Sequence, residues 1–273
     1  MSYETLDLKI EGQLAWLTLN RPDALNSMSR KLVDELRDFF GELPQRRDIR
    51  VVVLRGAGRA FCAGLDLKET AQPHDVAKQG GGALGGPSDG LRLQRRISEL
   101  PIMMRRAPQP IIACVQGAAC GGGFALALAS DVRLAGESAR MNAAFIKIGL
   151  SACDIGVSYF LPRLVGASLA SELLLTGRFI EAERALATGL VSKVVPDDRL
   201  EEEARALANE MLQTSPLGLR LTKECLDMSL DAGSLEAVIA MEDRNQILCT
   251  QTQDMMEGVM AFLSKREPKY TDS

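Results

Sequence analysis

Histidine is almost missing from this chain: His74 is the only one in 273 residues. The six cysteines, at 62, 114, 120, 153, 225 and 249, form no C-x-x-C pair and mostly sit in apolar surroundings. Zinc-type sites therefore have little to be built from, no metal is expected, and the cysteines read as reduced core residues of a cytosolic protein. No run of 18 apolar residues occurs, and the first residues, MSYETLDLKIEG, carry no apolar stretch of a signal peptide. A cytoplasmic protein is expected, neither secreted nor inserted in a membrane. Basic charge is short as well: 32 Lys and Arg stand against 36 Asp and Glu, for a net charge of −4. That balance excludes a general affinity for nucleic acid.

What remains is ordinary for a globular protein, 46% apolar and 25% charged, and long enough for one large core. LAWLTLN (14–20) alternates and is rich in β-formers, so it predicts a strand. From Ser29, apolar residues at 32, 36, 39, 40 and 43 recur at helical spacing until Pro44. VVVLRG (51–56), PIIACVQG (110–117) and DVRLAG (131–136) are short unbroken runs typical of strands covered on both faces. Strands alternating with helices predict an α/β fold. GGGALGGPSDG (80–90) predicts a mobile loop. After about residue 196 every long segment reads as helix, with Ser215 and Pro216 as an N-cap and first helical residue. The division expected is a core over 1–195 and a helical region over 196–273. No internal repeat is evident.

Two glycine-containing stretches each follow a predicted strand. GAACGGGFALALASD (117–131) opens a helix-like run, and GRAFCAGLDLKE (58–69) makes a small-residue turn at Ala63 and Gly64. Glycines let backbone approach a ligand, and N–H groups at a helix start are free to donate. The bland readings are close helix–strand packing for the first and a turn capped by Asp66 for the second. Together, two backbone donors from two strand ends could converge on a carbonyl oxygen as an oxyanion hole.

These stretches, with LNRPDALNSM (19–28), LLLTGRFIEAERALATGLVSKVVP (173–196) and FLSKREPKY (262–270), resemble the crotonase (enoyl-CoA hydratase/isomerase) superfamily along nearly the whole chain. The resemblance implies a spiral of β-β-α units with a C-terminal helical region used in assembly, as a homo-oligomer, a trimer or hexamer. It implies an acyl-CoA thioester as substrate, with coenzyme A entering as part of it and no separate cofactor. It assigns the oxyanion donors to the N–H groups of Leu65 and Gly122. Ala24, Ala63, Asp66 and Leu67 would border the coenzyme A pocket. Lys68 and Lys265 would meet its phosphates or be plain surface charge. The 80–90 loop would lie over the acyl end.

One part of the family pattern fails. The two glutamates that hydratases place about the double bond correspond to Ala125 and Phe145, which move no protons. A carboxylate does stand at Asp154, in KIGLSACDIGVSY (147–159). It is either the acid/base of the site or the N-cap of a following helix. Among Ile148, Leu150 and Ile155 its pKa should be raised. Enoyl-CoA hydratase/isomerase chemistry through Asp154 is the leading expectation. A relay through Ser158, Tyr159, Asp89 or Glu99, a dienoyl-CoA isomerase, an aroyl-CoA dehalogenase, and a binding protein without turnover stay open. DIGVSY resembles the dehalogenases, whose histidine has no counterpart in 95–109.

Overall fold

A computed structural model describes residues 3–70 and 87–273. Among these residues the strands are β1 (Leu6–Glu11), β2 (Leu14–Leu19), β3 (Val51–Gly56), β4 (Ile111–Val115), β5 (Ala118–Cys120), β6 (Val132–Gly136), β7 (Arg140–Asn142), β8 (Ile180–Glu181) and β9 (Lys193–Val195). The first helices are α1 (Arg30–Glu42), α2 (Leu67–Thr70), α3 (Pro87–Arg106), α4 (Gly122–Ala129), α5 (Val157–Val165) and α6 (Ala167–Thr176). They are followed by α7 (Ala182–Ala187), α8 (Leu200–Leu212), α9 (Pro216–Ser229), α10 (Leu235–Thr250) and α11 (Gln253–Leu263).

The main sheet has the order β1-β2-β3-β4-β6-β9, parallel from β2 onward, and β1 adds as an antiparallel edge. β4 is buried at every residue, which explains its unbroken apolar run, and β2, predicted to alternate, is likewise buried at every residue, Thr18 included: both faces are covered. Leu17, Leu19, Val52, Leu54 and Ile111 pack into the larger core with residues of α1, α3 and α4. Trp16, Val51, Val53, Ile112 and Leu134 point the other way, onto Leu200, Ala204 and Ala208 of α8. A second sheet, β5-β7-β8, completes the layers.

The strands end at Val195, and every later described element is helical. α8 still seals a face of the main sheet, so the helices that project from the core are α9 to α11. They carry many exposed apolar side chains, among them Leu226, Leu235, Ile247 and Met256, with Phe262 84% and Leu263 70% exposed.

Two expectations are corrected. Residues 87–90 of the glycine-rich stretch are not loop but the first turn of α3, which begins at Pro87, where a missing N–H has no consequence; residues 80–86, like His74, lie outside the described residues. α1 ends at Glu42, and Pro44 sits inside a short 3-10 turn, Leu43–Gln45, rather than stopping the helix directly.

The loop after β2 is pinned to the loop after β3 by one buried amide. Asn26 donates to Ala57 O at 2.9 Å and Ala60 O at 2.8 Å, and accepts from Arg21 N–H at 2.9 Å. Its φ of 55° is one that asparagine adopts more readily than most residues. Asn26→Ala strips three partners at once and leaves buried carbonyls unmet, so a loss of about 3 kcal/mol is expected in urea unfolding.

Candidate active site

The segment after β3 is stitched to a neighbour on each side. Cys62 donates to Ala118 O at 3.0 Å and accepts from Cys120 N–H at 2.9 Å. On the other flank Met28 N–H donates to Gly64 O at 2.7 Å, and Asp66 N–H donates to Met28 O at 3.1 Å. A parallel bridge of this kind uses the groups on either side of Leu65 and turns the N–H of Leu65 itself away from Met28. Gly64 makes the switch of direction at a φ of 93°. A side chain there would meet Cys120 O at 2.7 Å and lie 3.5 Å from Gly122 N. Only glycine satisfies both demands.

Gly122 opens α4, so its N–H belongs to the first turn and has no partner within the helix. Gly121 N–H donates to Asn142 O at 2.9 Å. Gly123 has a packing reason, since a Cβ there would stand 2.2 Å from Cys62 O. A Cβ on Gly122 would stand 2.6 Å from Met28 Sδ and 3.6 Å from Ile155 Cδ1. Met28, Gly64, Leu65, Gly122 and Ile155 therefore meet in one place. Among the described residues, neither Leu65 N–H nor Gly122 N–H donates a hydrogen bond.

Asp154 joins this place through Ile155. It is not the N-cap of α5: that position is Gly156, at a φ of 80°, and no side chain caps the helix. Two consecutive left-handed residues, Ile155 at 49° and Gly156 at 80°, carry the chain from Asp154 into α5. Asp154 Oδ1 accepts the Gln94 amide at 2.5 Å and Ile155 N–H at 2.8 Å. Oδ2 has no partner among the described residues. Burial raises the carboxyl above the usual aspartate range, and the bonds from Ile155 and Gln94 oppose that rise without cancelling it. Ile155 is buried beside it, whereas Ile148 and Leu150 are about half exposed, so the predicted apolar surroundings come from fewer residues than expected.

The other expected residues divide. Phe145 is buried with its ring against Gly121, and Ala125 is fully buried in α4. Asp66 gives its carboxylate to Arg21 at 2.8 Å and to the N–H groups of Lys68 and Glu69, so the side chain caps α2. Burial opposes ionisation there, but Arg21 and those N–H groups hold the carboxyl below the usual range. Ala63 N–H donates to Leu25 O at 3.0 Å beside the short turn that ends at Ala24. Leu67 and Lys68 are exposed on α2, and Lys265 is exposed just after α11. The alternative relay is drawn elsewhere: Tyr159 donates to Asp231, Glu99 pairs with Arg37, Asp89 with Arg92, and Ser158 is exposed. Gln94, Met28 and the backbone strain at Ile155 were missed. Gln94 stands in LRLQRR, where nothing separates it from a solvated helix face, and a φ above zero at isoleucine has no local signal.

The chain matches the family model for enoyl-CoA hydratase/isomerase over residues 9–273. A probable enoyl-CoA hydratase of Mycobacterium tuberculosis is 41% identical over 261 residues, 95% of this chain and 90% of its own. The 1,2-epoxyphenylacetyl-CoA isomerase of Escherichia coli is 35% identical over 263 residues, 96% of each chain. A crystal structure of an enoyl-CoA hydratase from Bacillus anthracis shares the fold with a TM-score of 0.91 at 33% identity, over 99% of this chain and 100% of that one.

The raised carboxyl of Asp154 has a consequence for stability. Between the ordinary aspartate range and its raised value, the folded chain holds a proton that the unfolded chain has lost, so stability falls as pH rises through that window. Asp154→Asn is expected to match or exceed the wild type in urea midpoint at pH 8 and to lose that advantage below about pH 4. An equal deficit at both pH values would contradict the burial cost.

Proposed function

Because the chain belongs to the enoyl-CoA hydratase/isomerase family, of the crotonase superfamily, we propose that it is an enzyme that moves protons on an unsaturated acyl-CoA thioester, with Asp154 as acid and base. The observation that carries this reading is the placement of Asp154. Its carboxyl is half-buried and raised, Oδ1 is held by Gln94, and Ile155 links it to the glycine turn at Gly122. The Leu65 and Gly122 N–H groups are the proposed oxyanion donors. A thioester oxygen between them gains most when it becomes an enolate, because fixed donors in a dry site stabilise developing charge without reorganising.

The chemistry follows from a single carboxylate. Asp154 as the anion takes a proton from the γ carbon of an enoyl-CoA. The C–H electron pair becomes a new double bond and charge moves onto the thioester oxygen. The protonated Asp154 then returns the proton at the α carbon, and the double bond has shifted with no net loss of atoms. Hydration is the second use of the same group: Asp154 deprotonates a water that attacks the β carbon and returns the proton to the α carbon. A carboxyl above the ordinary range suits both halves of either cycle. The E. coli relative named as a CoA isomerase and the hydratase relatives lend each outcome support.

The coenzyme A moiety is proposed to lie along Ala24, Ala63 and the 66–68 segment, with Asp66 acting through backbone since its carboxylate is engaged. Lys68 and Lys265 are the proposed phosphate contacts, and no cofactor beyond the substrate's own coenzyme A is needed. The apolar side chains exposed on α9 to α11 favour a homo-oligomer, a trimer or hexamer.

A panel of enoyl-, dienoyl- and aroyl-CoA esters in deuterated water separates the outcomes. Hydration adds the mass of water, isomerisation exchanges deuterium without it, and a protein that only binds does neither. Asp154→Asn is expected to keep coenzyme A affinity and lower turnover at least ~100-fold; wild-type rates would remove Asp154 from the mechanism. Light scattering at micromolar concentration is expected to give a trimer or hexamer mass, and a monomer would contradict assembly through the C-terminal helices.

A further inference from the structure

α9 meets the core by apolar packing near its start, at Pro216 and Leu219, and by charge further along. Lys223, only 5% exposed, donates to Met104 O at 3.1 Å, Gln109 O at 2.9 Å and the Asp131 carboxylate at 2.9 Å. One turn on, Asp227 pairs with Arg105 of α3, and its Oδ2 is buried with no partner among the described residues. Arg105 also reaches Asp131 at 3.5 Å and lies 5.8 Å from the centre of the Phe160 ring on α5. Just past α9, Asp231 accepts the Tyr159 hydroxyl at 2.6 Å and the Arg163 guanidinium at 3.2 Å, both from α5.

Between α3, α5 and α9 lies a cleft of about 640 Å³, walled by Pro101, Ile102, Gly156, Phe160 and Met228. Leu100 and Met104 of α3 and Val157 and Phe160 of α5 share the larger core, and on its outer side the ion pairs and the Tyr159–Asp231 hydrogen bond span the cleft to α9 and the turn after it. α3 and α5 are also the two elements that hold Asp154. Gln94, Pro101 and Arg105 recur at helical spacing along α3, the first bonded to Asp154 and the last to Asp227. Ile155 and Gly156 lead from Asp154 directly into α5.

We propose that Asp227 and Asp231 are positioning residues that set the Gln94–Asp154 contact, by tying α3 through Arg105 to α9 and α5 through Tyr159 and Arg163 to the turn that follows α9. Among the described residues, the charged groups that act on Asp227 are Arg105 from α3, Asp131 from the corner between α4 and β6, and Lys223 from α9 itself. Burial carries the Asp227 carboxyl up to about 6 against the pull of Arg105, so the tie is kept at a cost in desolvation. The inference rests on the reading of Asp154 as the proton-handling group, and its test separates the two.

The Asp154 carboxyl is followed by carbon-13 NMR titration of aspartate-labelled protein and assigned with Asp154→Asn. Gln94→Ala is expected to raise the Asp154 midpoint, because one of the two bonds that oppose burial is gone. Tyr159→Phe, which removes a single hydroxyl and spares the fold, and the double variant Asp227→Asn/Asp231→Asn are expected to move it the same way. Adding Gln94→Ala to the double variant is expected to add nothing further. On an enoyl-CoA that the wild type turns over, kcat is expected to fall about 10- to 100-fold with KM unchanged, the effect of a small misplacement. A midpoint that moves in Gln94→Ala but stays put in Tyr159→Phe and in the double variant overturns the proposal, as does an unmoved midpoint in Gln94→Ala. Shifted midpoints together with full turnover in Asp154→Asn would sink the catalytic reading and leave the positioning role standing.

Discussion

The double stitching of residues 62–66 is the constraint on which the rest of the site depends. Cys62 is paired toward β5, and two residues later the same chain is paired toward Met28. A regular strand presents its groups in strict alternation, and it could not serve both neighbours in this register. Gly64, left-handed at 93°, breaks the alternation once and leaves Leu65 N–H with no acceptor among the described residues. An unsatisfied backbone donor is costly where it is buried, and it persists only where the surroundings over-determine it. Here they do: the Asn26 amide ties one flank, and Cys62 ties the other to the segment that ends in Gly122.

The spiral α/β core was legible because its signals are periodic and redundant. β3, β4 and β6 each announce themselves as short apolar runs, since a parallel strand covered on both faces has no polar side to interrupt it, and β2 by its β-forming residues. The strands that went unread are β1, a six-residue antiparallel edge strand, and β5, β7, β8 and β9, of two or three residues each, too short for any period. The glycine turns were legible for another reason. A residue without a side chain is the direct signature of backbone approaching backbone, and both turns follow a strand end, where parallel sheets place their ligands.

The carboxylate was legible as a residue but not as a geometry. Asp154 stands out as an acid in an apolar stretch, and the sequence favours the acid/base reading while leaving a helix cap open beside it. What removes the cap is the fold of the next two residues. A cap needs an extended residue followed by a helix; here two left-handed residues intervene, and the side chain bonds Ile155 instead of the helix start. Gln94 and Asp227 were illegible for the opposite reason. Both lie on helices whose charged residues look like ordinary solvated faces, and only tertiary contact turns them inward.

Ile155 shows how the Asp154 carboxylate and the glycine turn at Gly122 are joined. A β-branched residue at a φ of 49° costs on the order of 1–3 kcal/mol relative to a relaxed backbone. Glycine at that position would remove the strain, as Gly156 does one residue later. It would also remove the Cδ1 atom that lies against Gly122, and with it the packed link between the segment carrying the carboxylate and the turn carrying the donor. The same residue's N–H holds Asp154 Oδ1, so backbone and side chain of one strained isoleucine fix both ends of the arrangement. Strain that a substitution to glycine would relieve, but that makes two contacts no glycine can make together, is better explained by the geometry it enforces than by an accident of the turn.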